Sequence, residues 1–211
     1  MPTNCLYVLG TGGHAKVVID ALNSARYGYT KIRLVDDDLG KIGYQVSGRI
    51  IEDIAVIKSG DRFHVAIGSN LIRSRRFIDI ESGGSKPVSV IHPKSVVASS
   101  AKIGRGVFVA ASSVIGPDST IGAGTIVNHG AVVDHDCSVG QFCHIAPGAV
   151  LGGSVIIGDD VLVGAGAVVL PSVALASGVV IGAGAVVTKS IMNVGTFIGS
   201  PARELNRGLN D

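Results

Sequence analysis

A group of side chains able to do acid–base chemistry lies in a segment otherwise rich in Val, Ile, Ala and Gly. Three of the six histidines fall within sixteen residues: His129, His135 and His144. His135 stands between Asp134 and Asp136. A carboxylate beside an imidazole raises its pKa and fixes its tautomer, which suits a general base. The pattern therefore indicates a general base at His135.

Other roles remain open for these residues. Any single histidine, His129 above all, could be a solvated residue at a corner of the fold. Two of them could bind a metal, but their spacings of six and nine differ from the His-x4-His pair of the prism-fold carbonic anhydrases. Cys137 and Cys143 lie where small side chains are needed, which favours packing over a role as nucleophile or ligand. We predict no metal site.

A hexapeptide repeat carries these residues. An aliphatic residue recurs at every sixth position from Ile91 to Val187, and a small or short-branched residue precedes each by two positions. This period is typical of a parallel β-helix, in which three hexads, each a short strand and a turn, complete one triangular coil. The length of the run predicts about five coils. His129 and His135 occupy equivalent positions in successive hexads, so we expect them on successive faces and not side by side.

The residues before the repeat predict an α/β unit. Strands are expected at 5–9, 32–35 and 63–67, and helices from Ala15 to about Arg26 and over 71–80. Ile50 to about Lys58 is a possible further helix. Alternating strands and helices imply a parallel sheet. We therefore divide the chain into a Rossmann-like α/β half domain at 1–85 and a β-helix at 86–211.

A glycine loop follows the first predicted strand. Gly10, Gly12 and Ala15 fit a loose dinucleotide fingerprint, and Asp36 ends the next strand. Such a loop lets a phosphate approach the backbone at a helix N-terminus, although a tight turn without a ligand is the alternative. A full dinucleotide fold needs two such halves. A ligand with one nucleotide therefore fits about 80 residues better than NAD does.

The amino-acid composition limits which kinds of partner and which cell compartment are expected for this chain. The net charge is +2, and the one basic cluster is Arg73, Arg75 and Arg76, which argues against a nucleic-acid partner. Three cysteines without metal-type spacing fit a reducing cytoplasm. The first residues lack the basic region and long apolar core of a signal peptide. No apolar stretch is long enough to span a bilayer, while peripheral membrane association stays open.

Together these features resemble one known family. A short α/β domain joined to a hexapeptide prism is similar to the bacterial sugar O- and N-acetyltransferases of the sialic acid O-acetyltransferase type. That family includes N-acetyltransferases of nucleotide-linked 4-amino sugars in bacillosamine and perosamine synthesis. The motifs that carry the resemblance are Gly12-Gly13-His14, Val35-Asp36-Asp37, Ala66-Ile67-Gly68-Ser69-Asn70 with Arg73, Asn128, Val133-Asp134-His135-Asp136-Cys137 and His144.

The resemblance implies a left-handed β-helix, a homotrimer, and acetyl-CoA bound between adjacent prisms. By position, His135 is implied as the general base and Asp136 as the acid that raises its basicity, although members often carry Glu there. His144 is implied at the thioester end of acetyl-CoA, and Ala165 and Ala183 along the pantetheine and adenine channel. The residues implied to bind the nucleotide-linked sugar are Gly12, Gly13, His14, Asp36, Asp37, Gly68, Asn70 and Asn128.

The expected reaction is direct acetyl transfer from acetyl-CoA to the amine of a nucleotide-linked amino sugar, in cytoplasmic glycan biosynthesis. O-acetylation of sialic acid or a related free sugar is the nearest alternative, because it uses the same residues on a hydroxyl acceptor. A nucleotide-dependent oxidoreductase would require a second nucleotide half and a hydride-transfer site, and the sequence shows neither. A non-catalytic scaffold would not explain why His and Asp gather at one level of the prism.

Overall fold

The structure, a computed structural model, describes residues 5–25 and 27–205. The predicted domain limits at 1 and 211 and the predicted end of the first helix at Arg26 lie outside the described residues. Within them, no helix has the length and apolar character that a membrane crossing requires.

The first part of the chain forms a mostly parallel sheet with two α-helices. Its elements are β1 (Cys5–Leu9), α1 (Gly13–Ser24), β2 (Lys31–Asp36), β3 (Gln45–Val46), β4 (Arg49–Asp53), β5 (Arg62–Val65), α2 (Asn70–Ser82) and β6 (Lys86–Pro87). The strand order is β3-β4-β2-β1-β5-β6, and β3 pairs antiparallel with β4. Because β1 pairs in parallel with β2 and β5, the carboxyl ends of these strands meet at one edge. The last strand, β6, lies just after the predicted division at 85.

The possible helix from Ile50 to about Lys58 is wrong. Residues 49–53 form β4, which pairs in parallel with β2, and a short 3-10 turn follows at Ile54–Val56. Ile50 is exposed whereas Ile51 is buried. That alternation has the period of a strand, and the partner that buries Ile51 lies far away in sequence, on β2.

Residues 90–187 form stacked two-residue strands, β7 to β23. They are Val90–Ile91, Val96–Val97, Lys102–Ile103, Phe108–Val109, Val114–Ile115, Thr120–Ile121, Ile126–Val127, Val132–Val133, Ser138–Val139, His144–Ile145, Val150–Leu151, Ile156–Ile157, Leu162–Val163, Val168–Val169, Ala174–Leu175, Val180–Ile181 and Val186–Val187. β24 (Thr196–Ile198) and β25 (Arg203–Glu204) follow.

These strands build a left-handed parallel β-helix with three faces. Every third strand pairs in parallel with the next of its face, so the first face contains β7, β10, β13, β16, β19 and β22. Strands β7–β21 make five complete coils in the described part of the chain, as predicted. The second residue of each strand points inward, and Ile115, Val133 and Leu151 are fully buried.

From Gly106 to Gly184, each corner contains one residue in the left-handed conformation, at a period of six. These residues are Gly106, Ser112, Asp118, Gly124, Gly130, Asp136, Phe142, Gly148, Ser154, Asp160, Gly166, Ser172, Gly178 and Gly184. We call residues 128–131 and their equivalents the first corner, 134–137 and theirs the second, and 140–143 and theirs the third. Asp136 occupies this position at the second corner, and Asp tolerates the left-handed conformation better than most residues do.

The α/β unit packs on the first face and on the third corner. Phe108 and Ile126 point outward from the first face and share a core with Ala15 and Val18 of α1. On α2, the ring of Phe77 lies 5.3 Å from that of Phe142. The next outward residue after Ile126 on the first face is His144, its partner in register. The edge of the α/β unit therefore falls beside His144, which is only partly buried.

Candidate active site

A cavity of about 630 Å³ opens at the carboxyl edge of the sheet. It is lined by Gly10–His14, from the loop after β1 and the start of α1, by Asp36–Asp37 at the end of β2, and by Ala66–Gly68 after β5. Its other lining residues are Lys41, Leu71, Ile72, Arg75 and Arg76. The cavity thus brings together six residues that the sequence analysis placed in a sugar-nucleotide site: Gly12, Gly13, His14, Asp36, Asp37 and Gly68.

Three glycines of this cavity have open space where a side chain would begin. A Cβ on Gly12, Gly13 or Gly68 would meet no atom within 4 Å, and none of the three has a positive φ. Neither the backbone conformation nor packing within the chain requires glycine there. Gly10 differs, because its φ is +107° and its Cβ would lie 2.8 Å from Ile67. The open glycines fit a ligand that approaches the backbone closely.

The charges at the cavity favour an anionic ligand. Helix α1 begins there with Gly12 as its N-cap, without a side-chain cap and without an acidic residue in its first turn. The unpaired N–H groups and the helix dipole attract negative charge. Arg75 also lines the cavity, and its side chain forms no hydrogen bond or ion pair with any described residue.

The two acids of the cavity are engaged with the protein itself. Asp36 accepts hydrogen bonds from Oγ1 of Thr11 at 2.5 Å and from the N–H of Asp38 at 3.0 Å, and Lys41 lies 3.5 Å away. Burial alone would raise the pKa of Asp36, but these partners outweigh it and hold the pKa below its usual value. Asp37 pairs with Arg76. Asp36 thereby fixes the loop that contains Gly12.

His14 connects the cavity to the prism. Its ring packs edge-on against Phe108 at 5.1 Å and lies 6.4 Å from the ring of His144. Burial, strengthened by nearby positive groups, lowers the pKa of His14 to about 3 and that of His144 to about 4. Both imidazoles are therefore neutral near pH 7. Nε2 of His14 is buried and has no hydrogen-bond partner among the described residues.

Asn128 and His144 form one unit at the first corner. Nδ2 of Asn128 lies 3.0 Å from Nε2 of His144, and Oδ1 of Asn128 accepts a hydrogen bond from the N–H of His129 at 2.9 Å. Asn128 is 9% exposed. The carbonyl of Gly68, from the cavity loop, favours the protonated form of His144 but is outweighed by burial and by the charge of Arg73. These contacts join the prism to the loop of the α/β unit.

His135 and Asp136 lie at the second corner, on a different edge of the prism from Asn128. Nδ1 of His135 lies 2.7 Å from Oδ2 of Asp136, and the two side chains are 56% and 58% exposed. The hydrogen bond to Asp136 and the charge of Asp134 raise the pKa of His135. With Nδ1 bound to the carboxylate, the other ring nitrogen, Nε2, lies over Gly153 of the next coil. A single chain does not bring His135 into contact with His14, Asn128 or His144.

Other predicted site residues lie apart from the cavity. Ala165 and Ala183 are exposed at the first corner and stack in successive coils, where the N–H of Gly184 donates to the carbonyl of Ala165 at 2.8 Å. Asn70 does not line the cavity. Its Nδ2 donates to the carbonyls of Asp160 and Val161, and its Oδ1 accepts from Arg73. The Asn70 amide therefore has protein partners at both ends.

Sequence reasoning missed the role of Arg73, which is 1% exposed. Its guanidinium donates to the carbonyls of Ile67 and Gly68 in the cavity loop and to those of Gly124, Phe142 and Cys143 in the prism. Arg73, Phe77 and Ile80 share the buried side of α2, and this helical spacing was the available signal. From the sequence, Arg73 was grouped with Arg75 and Arg76 as a basic cluster and named among the motifs of the resemblance, but without a role of its own.

The cysteines pack, as predicted. Cys137 and Cys143 are 2% and 0% exposed, and their thiols donate to carbonyls of the next coil. Burial raises the pKa of Cys143 to about 12 and also raises that of Cys137, which makes a thiolate nucleophile unfavourable. Across residues 5–25 and 27–205, no group of three or more His, Cys, Asp and Glu side chains is arranged to hold a metal ion.

Two different family models match the two halves of the chain. Residues 5–80 match the family described as the PglD N-terminal domain, and residues 80–172 match the GMPPB C-terminal domain. The UDP-N-acetylbacillosamine N-acetyltransferase of Bacillus subtilis strain 168 is 32% identical over 109 residues. That match covers 49% of this chain and spans about half the length of the relative, 50%.

Solved structures match over nearly the whole chain. The PerB protein of Caulobacter crescentus, in complex with CoA and GDP-perosamine, is 36% identical with a TM-score of 0.87, covering 95% of this chain and 96% of that one. The acetyltransferase domain of PglB from Neisseria gonorrhoeae FA1090, in complex with acetyl coenzyme A, is also 36% identical. Its TM-score is 0.89, and the match covers 96% of this chain and 100% of that one.

Proposed function

The chain belongs to the family of nucleotide-sugar N-acetyltransferases, and we propose that it transfers the acetyl group of acetyl-CoA to the amino group of a nucleotide-linked amino sugar. One observation carries this proposal: His14 lines the sheet-edge cavity and also lies beside His144 on the prism. An acceptor anchored in the cavity can therefore extend to the first corner, where the prism presents Asn128 and His144.

The cavity supports a nucleoside diphosphate as the anchoring part of the acceptor. Its diphosphate would rest on Gly12 and Gly13 at the uncapped end of α1, and Arg75 would add a positive charge. The three glycines without a Cβ leave room for that approach. Asp37 and Gly68 would contact the nucleoside, with Asp36 fixing the loop beside it. The acceptor's amino sugar would then extend past His14.

The first corner supports the binding of acetyl-CoA. Ala165 and Ala183 leave a smooth, exposed column with open space at Gly148, Gly166 and Gly184. The N–H groups of both alanines have no partner among the described residues, so they can bind pantetheine amides. A donor along this column would place its thioester near Asn128 and His144. We propose acetyl-CoA as co-substrate, without a metal.

A homotrimer completes the site. His135 is solvent-exposed on a different edge from His144, so one chain does not supply both to one acceptor. We propose that His135 of one subunit faces the first corner of its neighbour, which gives three equivalent clefts. Nε2 of His135 would take the proton from the attacking amine, while Asp136 holds Nδ1–H and raises the basicity of the ring. The transfer is direct, because a thioester is already activated.

The test is an acetyl-CoA consumption assay with UDP- and GDP-linked amino sugars and their free sugars. The nucleotide-linked amine is expected to be the better acceptor by far, because the free sugar lacks every cavity contact. Equal efficiency on the free sugar would sink the nucleotide-sugar assignment. Transfer to a hydroxyl sugar such as sialic acid, in preference to an amine, would replace N- by O-acetylation. We propose that the enzyme acts in the cytoplasm, in the biosynthesis of a glycan.

The general base is tested by His135→Ala. We expect kcat to fall by about two to four orders of magnitude, the span of general-base catalysis, while acetyl-CoA binding and the oligomeric state persist. Turnover close to that of the unaltered protein would reject His135 as the base. An active monomer in light scattering would reject the shared cleft.

A further inference from the structure

The side-chain amide of Asn128 has a defined orientation. Its Oδ1 accepts a hydrogen bond from the N–H of His129 at 2.9 Å. A flipped amide would set its own N–H against that donor, so Nδ2 is the atom directed at His144. Nδ2 lies 3.0 Å from Nε2 of His144. Asn128 donates this hydrogen bond, and Nε2 of His144 accepts it.

This orientation determines the tautomer of His144. Because Nε2 accepts a hydrogen bond, it holds a lone pair, and the single proton of the neutral ring is on Nδ1. The Gly68 carbonyl, which faces the ring, favours a proton on the imidazole. That carbonyl is itself held by Nη1 of Arg73 at 3.0 Å. His144 therefore has no N–H on the side of Asn128 that could donate to a substrate.

One donor remains at this point. The amide nitrogen of Asn128 has two hydrogens, and only one is used, by His144, within the described part of the chain. The side chain is nine-tenths buried, at 9% exposure, so the second N–H is shielded from bulk water. At the first corner, the N–H groups of Gly148, Gly166 and Gly184 donate to the carbonyls of His129, Pro147 and Ala165. These bonds stack the corner beside Asn128 in line with the column of Ala165 and Ala183. Asn128 thus stands at the end of the proposed donor channel.

We propose that the second amide N–H of Asn128 binds the thioester carbonyl oxygen and stabilises the oxyanion of the tetrahedral intermediate, while His144 is a positioning residue that holds the amide. This rests on the proposed acetyl transfer. It changes two expectations: Asn128 contacts the donor carbonyl rather than the acceptor sugar, and His144 acts through Asn128.

The chemistry selects the carbonyl over the amine. A hydrogen bond from Asn128 to the amine would occupy the lone pair that must attack. In the transfer, that lone pair forms the N–C bond and the carbonyl π electrons move to oxygen, where the Asn128 N–H meets the new charge. The proton on nitrogen passes to Nε2 of His135. The intermediate then collapses, the C–S bond breaks, and the CoA thiolate leaves and takes the proton from His135. The Asn128 N–H therefore binds the oxygen more strongly in the transition state than in the ground state, because the negative charge on the oxygen develops there.

The kinetic test compares Asn128→Ala with Asn128→Asp, which keeps size but loses both N–H groups. Each is expected to lower kcat by about 10²- to 10³-fold, as for the loss of one oxyanion donor, with little change in KM for either substrate. Gln141→Ala, at the exposed third corner, is the matched control and should keep normal kcat. Unchanged kcat in Asn128→Asp, or a loss confined to the KM of the nucleotide sugar, would overturn the proposal.

The positioning role of His144 is tested separately. His144→Gln retains an acceptor oxygen for Asn128, whereas His144→Leu does not, so Gln should recover much of the kcat that Leu loses. Nitrogen NMR of the unaltered protein should show a proton on Nδ1 of His144 and none on Nε2. A protonated Nε2, or equal kcat in both variants, would overturn the role. If the unaltered protein consumes no acetyl-CoA with any amino sugar, the proposed function fails, and the tautomer still tests the geometry.

Discussion

A Cβ added to Gly153 would lie 2.5 Å from Nε2 of His135, because the imidazole covers this glycine of the next coil. Gly153 has no positive φ, so its backbone conformation does not require glycine. The glycine instead leaves room for the ring. The N–H of Ser154 donates to the carbonyl of His135 at 2.9 Å, which fixes the stacking of the two coils.

We predict that Gly153→Ala lowers kcat at least about tenfold by displacing the imidazole, since small shifts of catalytic groups are costly. The melting temperature should change little, because the exposed ring can move aside. Steady-state kinetics and thermal unfolding measure the two effects. Ser154→Ala, at the same corner, is the control. Full activity of Gly153→Ala would show that the position of the ring over this glycine does not matter.

The pair of His135 and Asp136 predicts a shift in the pH profile. The hydrogen bond that Nδ1–H of His135 donates to Asp136 raises the pKa of His135, so the base loses its proton only at higher pH. Removing the carboxylate charge in Asp136→Asn should lower the apparent pKa, and the acidic limb of kcat/KM should move to lower pH. The maximal rate should fall less than in His135→Ala. An acidic limb that stays in place would show that another group controls it.

A substitution at one of the three open glycines of the cavity is expected to weaken ligand binding without lowering the stability of the fold. Gly12→Ala places a methyl group into empty space, so stability should stay constant or rise by about 0.4–1 kcal/mol. The KM of the nucleotide sugar should rise while that of acetyl-CoA stays the same. Calorimetry with the free nucleotide would measure the loss directly. Gly10→Ala is the contrast, because its positive φ and the contact with Ile67 should destabilise the fold. Undiminished nucleotide affinity in Gly12→Ala would argue against a ligand on this loop.

The buried histidines predict acid sensitivity. Burial lowers the pKa of His14 to about 3 and those of His64 and His144 to about 4. In the unfolded chain they titrate near 6.5, so between about pH 6.5 and 4 the unfolded state binds more protons and stability falls as the pH falls. Each histidine contributes up to about 1.4 kcal/mol per pH unit.

Chemical unfolding at a series of pH values measures this dependence. His64→Gln removes one buried titrating group and should flatten the pH dependence of the unfolding free energy. Gln141→Ala, which alters an exposed side chain without a titrating group, should leave it as it is. A dependence that is the same in both variants would mean that carboxylates alone cause the acid sensitivity.

Much of the fold could be read from the sequence because its signals are local. The aliphatic residue at every sixth position from Ile91 to Val187 is repeated so often that only a coil of hexads buries it. The strands of the α/β unit were found where they form buried runs, as in β1. β4 was missed because Ile51 is buried by β2, a partner that no local pattern reveals.

The sequence by itself determined which groups are available: the glycines of the loop, the His135–Asp136 pair and the aliphatic repeat, since each depends on neighbours in the chain. Only the tertiary structure decided how they are used. Arg73 and Asn70 face the prism because they donate hydrogen bonds to carbonyls of its coils. These carbonyls lie some 50 to 90 residues further along the chain. His144 meets Asn128 one coil earlier and His14 across the two units. Hydrogen bonds and burial, which set orientation and pKa, depend on these distant contacts, and spacing along the chain does not encode them.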